Sequence, residues 1–234
     1  MEEQYSDLSG HFQRCCTHGR GKPGLAAENG SLVPISCSGS GAGDPDFLRI
    51  GATVKMTVYL IRHGKTEANE KRLYCGSTDL PLSVRGREEL SRIHYHIENV
   101  RFLTSGMKRT NETLKILFGD VAYEEDARFR EVDFGIFEMH SYDDLKDLPA
   151  YCVWCAGDNE SNIPPNGESG MQMKKRVLDA FSDLSKDTVL ICHGGVIAAI
   201  MEHLFPEENK TRYEWQPKNG HGYVITDKQY RCIP

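Results

Sequence analysis

The stretch that most constrains this chain is MTVYLIRHGKTEAN, residues 56 to 69, in which an apolar run stops abruptly at Arg62-His63-Gly64. Val58 to Ile61 reads as a buried strand that gives way to a polar loop. A second apolar run, Thr188 to Cys192, ends in His193-Gly194-Gly195. Two strands thus deliver two histidines to their carboxyl ends, where the sheets of α/β proteins bind ligands. The arginine beside the first histidine carries a planar fork that suits a phosphate, and the glycine after it lets backbone come close to one. These residues suggest phosphate binding with an imidazole in attacking range.

From Met56 onward, apolar runs of strand length alternate with helical patterns, which predicts an α/β fold: a mostly parallel central sheet with helices on both faces, in three α/β/α layers. Ser83 caps a helix expected to run toward Asn99 with Leu90, Ile93 and Ile97 on one face, and His94 and His96 on different faces. Arg101 to Ser105 reads as a strand and Lys108 to Phe118 as a helix. Met171 to Leu184 reads as an amphipathic helix with Met173, Val177, Leu178 and Phe181 inward. Val196 to Phe205 reads as a buried helix, and Tyr223 to Asp227 with Tyr230 to Ile233 as a closing hairpin.

Residues 1–55 differ in kind. They are rich in glycine and serine (GRGKPG, SCSGSGAGDPD), with few large apolar residues and no sustained period. Such a segment cannot bury enough surface to offset its ordering entropy, so it is expected to be a disordered tail preceding a single domain over 56–234. The 234 residues carry 28 Lys+Arg against 34 Asp+Glu, a formal net charge of -6, which gives no general reason to expect a nucleic-acid or membrane surface. No apolar run reaches membrane-spanning length and no signal-peptide core is visible, so a cytoplasmic location is the default expectation. The eight cysteines are scattered, and reduced thiols are expected. Cys15, Cys16, His18 and Cys37 lack paired zinc-ligand spacing. Cys152-Val153-Trp154-Cys155 reads as a packed segment, and Cys192 as a small core residue.

Six blocks in order, LIRHGKTEAN, YCGSTDLPLSVRG (Tyr74 to Gly86), FLTSGMKRTNET (Phe102 to Thr113), FREVDFGIFE (Phe129 to Glu138), PNGESGMQMKKRV (Pro165 to Val177) and VLICHGGVI (Val189 to Ile197), resemble the histidine phosphatase superfamily. This is the group related to cofactor-dependent phosphoglycerate mutase, and the nearest likeness is to its smaller α-ribazole phosphatase-type members. The resemblance implies a phosphoglycerate mutase-like fold and a metal-independent phosphomonoesterase acting on a small phosphorylated metabolite. It implies no cofactor and no metal, and leaves the oligomeric state open. The alternatives are a phosphoglycerate mutase, for which the region from Met56 looks too short, and a catalytically dead phospholigand-binding protein.

The roles follow from the chemistry of a dianionic phosphate. Attack by an anion is repelled, so a neutral imidazole is a sensible nucleophile, and His63 is expected to carry a phosphohistidine. Charge building on the phosphoryl oxygens calls for fixed donors, expected from Arg62, Arg109, His193 and Gly194. The family's T-S-P-L-x-R pattern selects Arg109 over Lys108, with Gly106 standing where proline is usual. Asn69 matches the family's phosphate-contacting asparagine. The leaving alkoxide needs a proton, and Glu131 matches the family's acid, with Asp133 and Glu138 as competitors. Glu168 and Asp79 are expected to orient loops, and His221 to sit in a tight turn. Tyr142 to Trp154 and Asn159 to Asn166 are expected to form the lid and wall of the pocket.

Overall fold

The computed structural model describes residues 56–157 and 160–234. The tail of residues 1–55, the cysteines and histidine considered within it, and Asn159 of the expected wall lie outside the described residues.

Six strands form one sheet in the order β3-β2-β4-β1-β5-β6: β1 Thr57–Arg62, β2 Arg101–Thr104, β3 Glu124–Glu125, β4 Thr188–Cys192, β5 Gly222–Thr226 and β6 Gln229–Ile233. The pairs β1/β4, β2/β4 and β2/β3 are parallel, whereas β1/β5 and β5/β6 are antiparallel. This is the mostly parallel α/β sheet expected from the sequence. The described helices are α1 Glu67–Glu70, α2 Val84–Leu90, α3 Lys108–Phe118, α4 Tyr142–Leu145, α5 Pro149–Cys155, α6 Gly170–Ser182 and α7 Gly194–Leu204. No helix among the described residues is long and apolar enough to cross a membrane.

Alternation along the strands builds the two cores. Val58, Leu60, Leu190 and Cys192 face one side, where Met173, Val177 and Ala180 of α6 and the buried run of α7 cover them. Ile61, Val189 and Ile191 face the other, against Leu114 of α3. Leu60, Ile61, Leu190 and Ile191 have no exposed surface, and burial of each stabilises the fold by about 1.5–3 kcal/mol. A separate aromatic cluster, Phe137, Tyr151 and Trp154 with Tyr74 and Phe134, joins α5 to the loops before it.

One element departs from expectation. Ser83 does cap a helix, its hydroxyl accepting from the Gly86 amide, but α2 stops at Leu90. Over Ile93 to Glu98 the chain is non-helical, with Ile93, Tyr95 and Ile97 half-buried and His94, His96 and Glu98 all exposed. This is period-two alternation. The two histidines therefore share one outward side rather than opposite faces of a helix. Tertiary anchoring decides the matter: the Tyr95 ring stacks on Phe118, and its hydroxyl lies 2.8 Å from the Gly220 carbonyl.

Candidate active site

The sheet register sets the two histidines side by side. Arg62 pairs with Cys192 at the ends of adjacent parallel strands, and the next amide, that of His63, donates to the Cys192 carbonyl at 3.0 Å. The imidazoles of His63 and His193 consequently meet edge to face, with ring centroids 5.1 Å apart at 62°. Strand β2 runs on the other side of β4, so Ser105, just beyond its end, reaches His193 as well: its Oγ lies 2.8 Å from Nε2.

His63 keeps 6% of its surface and His193 none. Burial, then the charges of Arg109 and Arg62, hold the His63 imidazole well below its ordinary value of 6.5. Burial, then Arg109 and His63, do the same to His193. Both rings are neutral near pH 7. His63 Nδ1 is 2.6 Å from the Gly64 carbonyl, which only accepts, so the ring proton sits on Nδ1 and Nε2 carries the lone pair.

Arg109, in the first turn of α3, is 1% exposed. Its Nε donates to His193 Nδ1 at 3.3 Å, while Nη1 and Nη2 donate to the carbonyls of Thr78 and Gly76. Gly106 adopts φ +75°, a backbone closed to the usual proline, yet the turn still delivers Arg109 inward. Asp79 orients that turn by accepting the Lys108 amide at 2.8 Å.

A cavity of about 190 Å³ opens beside the histidines, lined in part by Arg62, Asn69, Glu131 and Gly195. His63, His193 and Arg109 do not line it. Arg62 is held there by a 2.8 Å bond from Nη1 to the Pro217 carbonyl. The Asn69 carboxamide oxygen accepts from the Thr66 amide and hydroxyl. Gly194 and Gly195 open α7 close against two polar side chains: a Cβ would stand 2.7 Å from Gln216 Oε1 at the first and 2.4 Å from Glu131 Oε1 at the second, so either side chain would have to move aside.

Of the three candidate carboxylates, only Glu131 lines the cavity. Its Oε2 accepts the Gly195 amide at 2.9 Å. Glu138 is consumed by the loop it braces, accepting the amides of Gly76, Ser77, Thr78 and Phe134. Asp133 accepts from Ser77 Oγ and the Gly135 amide. Glu168 pairs with Arg176, which also donates to the Glu131 carbonyl at 3.0 Å and so holds that residue in place.

His221 sits in a turn closed by its amide on the Lys218 carbonyl, and its own carbonyl accepts the Arg62 amide. Cys192 is fully buried, its thiol pushed well up by desolvation, and Cys152 and Cys155 lie in α5 outside any disulfide. Trp154 of the expected lid does line the cavity, but residues 160–166 of the expected wall do not. Arg212, Tyr213 and Gln216 take its place. They belong to a non-helical turn with no periodic signature, whereas Ser105 stood in a block already recognised.

A sequence model of the histidine phosphatase superfamily (branch 1) matches residues 58–232. The chain belongs to that superfamily. It is 31% identical over 177 residues to the adenosylcobalamin/α-ribazole phosphatase of Escherichia coli (strain K12), covering 70% of this chain and 87% of that protein. It is 30% identical to human 6-phosphofructo-2-kinase/fructose-2,6-bisphosphatase 4 over 63% of this chain and 32% of that one. A solved E. coli structure, provisionally described as an α-ribazole-5'-P phosphatase, superposes with a TM-score of 0.67 at 26% identity over 76% of this chain and 94% of its own. The phosphatase expected from the sequence is the enzyme class this kinship carries.

Proposed function

We propose that this phosphatase works without a metal, through a phosphohistidine on His63, and that α-ribazole 5'-phosphate is its first substrate to test. His63 Nε2 attacks phosphorus, the P–O bond to the leaving group breaks, and Glu131 gives that oxygen a proton. Water then attacks phosphorus as the P–N bond breaks, with Glu131 taking the water proton. Arg62, Asn69 and the Gly194 amide meet the phosphoryl oxygens, and Arg109 adds its positive charge from behind His193.

The observation that carries this reading is the His63 Nδ1 contact with the Gly64 carbonyl, which leaves Nε2 as the nucleophilic nitrogen beside two arginines. The choice of α-ribazole 5'-phosphate is supported by the kinship with phosphatases named for that substrate. Rapid acid-free quenching with a labelled phosphate ester is expected to trap an acid-labile phosphoenzyme at His63, and none in His63→Ala. Label on His193 would reverse the two roles. Activity lost to a chelator and restored by a divalent metal would remove the metal-free mechanism, and a phosphate-release panel containing α-ribazole phosphate and 3-phosphoglycerate tests the substrate.

A further inference from the structure

Four charged side chains line the cavity: Arg62, Glu131, Glu168 and Arg212. On the reading above, Arg62 meets the phosphoryl oxygens and Glu131 gives the leaving oxygen its proton. Glu168 is paired with Arg176. Among the described residues Arg212 is therefore the one lining cation left to meet a charge on the leaving group, and it is held by Glu160, which lies outside the lining.

That pair is built into the fold on both sides. The Glu160 carbonyl accepts the Met171 amide at 3.0 Å, which fixes its backbone to the start of α6. Its Oε2 sits where a Cβ on Gly170 would come within 2.3 Å, so the absence of a side chain there gives the carboxylate its berth. Arg212 is carried by a turn pinned by Trp215, which is 1% exposed and packs on Phe205, Tyr223 and Tyr230. The rest of the wall is largely apolar or aromatic: Leu73, Tyr74, Phe134, Trp154 and Tyr213.

We infer that Glu160 determines substrate specificity: by neutralising Arg212, it makes the cavity select a phosphate monoester whose leaving group is uncharged and apolar over one that carries a carboxylate or a second phosphate. This rests on the phosphatase reading above. A charged group entering this wall would lose hydration and find Arg212 already paired, whereas an aromatic ring would find aromatic faces to pack against. Glu160 acts through Arg212 and touches no reacting atom.

The test is a matched pair of substrates, phenyl phosphate and 4-carboxyphenyl phosphate, which differ in the one charge. The wild-type protein is expected to prefer phenyl phosphate in kcat/KM. Glu160→Gln keeps an acceptor for Arg212 but removes the negative charge, and it should raise the relative kcat/KM for the carboxylated ester by roughly ten- to a hundredfold, mainly through KM, as a charge-assisted hydrogen bond allows. Adding Arg212→Gln to that variant should abolish the gain. Failure of the wild type to hydrolyse either ester would remove the phosphatase reading itself. Hydrolysis of phenyl phosphate with an unchanged ratio in Glu160→Gln, or a gain that persists without Arg212, would overturn the role of Glu160 alone. Should thermal scans show Glu160→Gln unfolded, Arg212→Gln decides: it leaves Glu160 uncompensated and should lower the carboxylated ester further relative to phenyl phosphate, and an unmoved ratio overturns the inference.

Discussion

Arg109 donates from Nε to Nδ1 of His193 at 3.3 Å. Since a guanidinium only donates, His193 Nδ1 must carry a lone pair, and the ring proton sits on Nε2, 2.8 Å from Ser105 Oγ. The Ser105 hydroxyl in turn has Thr110 Oγ1 at 3.1 Å, whose own proton goes to the Met107 carbonyl. Every proton in this chain of four groups has one direction available to it. Nitrogen-15 shifts of His193 in the free enzyme should accordingly report the Nε2–H tautomer. Ser105→Ala strands a fully buried N–H, and it should cost about 1–3 kcal/mol in denaturant unfolding. Finding the Nδ1–H tautomer in the wild type would break the argument.

Acid should destabilise the fold through the same two rings. His63 and His193 are held below their ordinary 6.5 in the folded state, so between that value and their folded ones the unfolded chain binds protons that the native protein does not. Their contribution is thus fully present above about pH 6.5–7 and lost as pH falls, with a slope of up to about 1.4 kcal/mol per pH unit for each ring. Urea unfolding from pH 8 to pH 5 should show this fall, and His193→Gln should make it shallower. A slope untouched by the substitution would mean that other groups set the acid limb.

The parts of the site that the sequence revealed are those fixed by strands. Thr188 to Cys192 is buried throughout and Val58 to Ile61 is buried but for the half-buried Tyr59, so their apolar runs marked them, and parallel register then placed the histidines after them together. The hairpin was equally visible, with Asp227 and Lys228 both at positive φ between β5 and β6. The segment after Leu90 misled because Leu90, Ile93 and Ile97 fit a helical face, while Ile93, Tyr95 and Ile97 fit alternation just as well. Packing of Tyr95 against Phe118 chose between them. Arg212, Tyr213 and Gln216 left no trace of their role, because a turn pinned by the distant partners of Trp215 has no local period to read.

Every side chain assigned to the site lies after Met56, and the family match starts at residue 58. A chain beginning at Met56 is therefore expected to keep the turnover and thermal midpoint of the whole protein. A large loss in either would show that residues 1–55 contribute to the domain.

Glu131 is the assignment with the most direct competitors, and leaving-group chemistry separates them. If Glu131 protonates the departing oxygen, Glu131→Gln should slow an alkyl phosphate far more than p-nitrophenyl phosphate, whose aryl oxide leaves with little help. General acid catalysis contributes about a hundred- to ten-thousandfold, and the alkyl substrate should fall within that range. Gly195→Ala should give a weaker form of the same signature, because the new Cβ would stand 2.4 Å from Glu131 Oε1 and push the carboxylate from its place. Asp133→Asn keeps an acceptor for Ser77 Oγ and the Gly135 amide, so it should alter both substrates alike. The quantity to measure is the ratio of alkyl to aryl turnover in each variant. Equal losses in Glu131→Gln would make this carboxylate a shaper of the pocket or a base for water, and selectivity in Asp133→Asn would move the acid two residues along the chain.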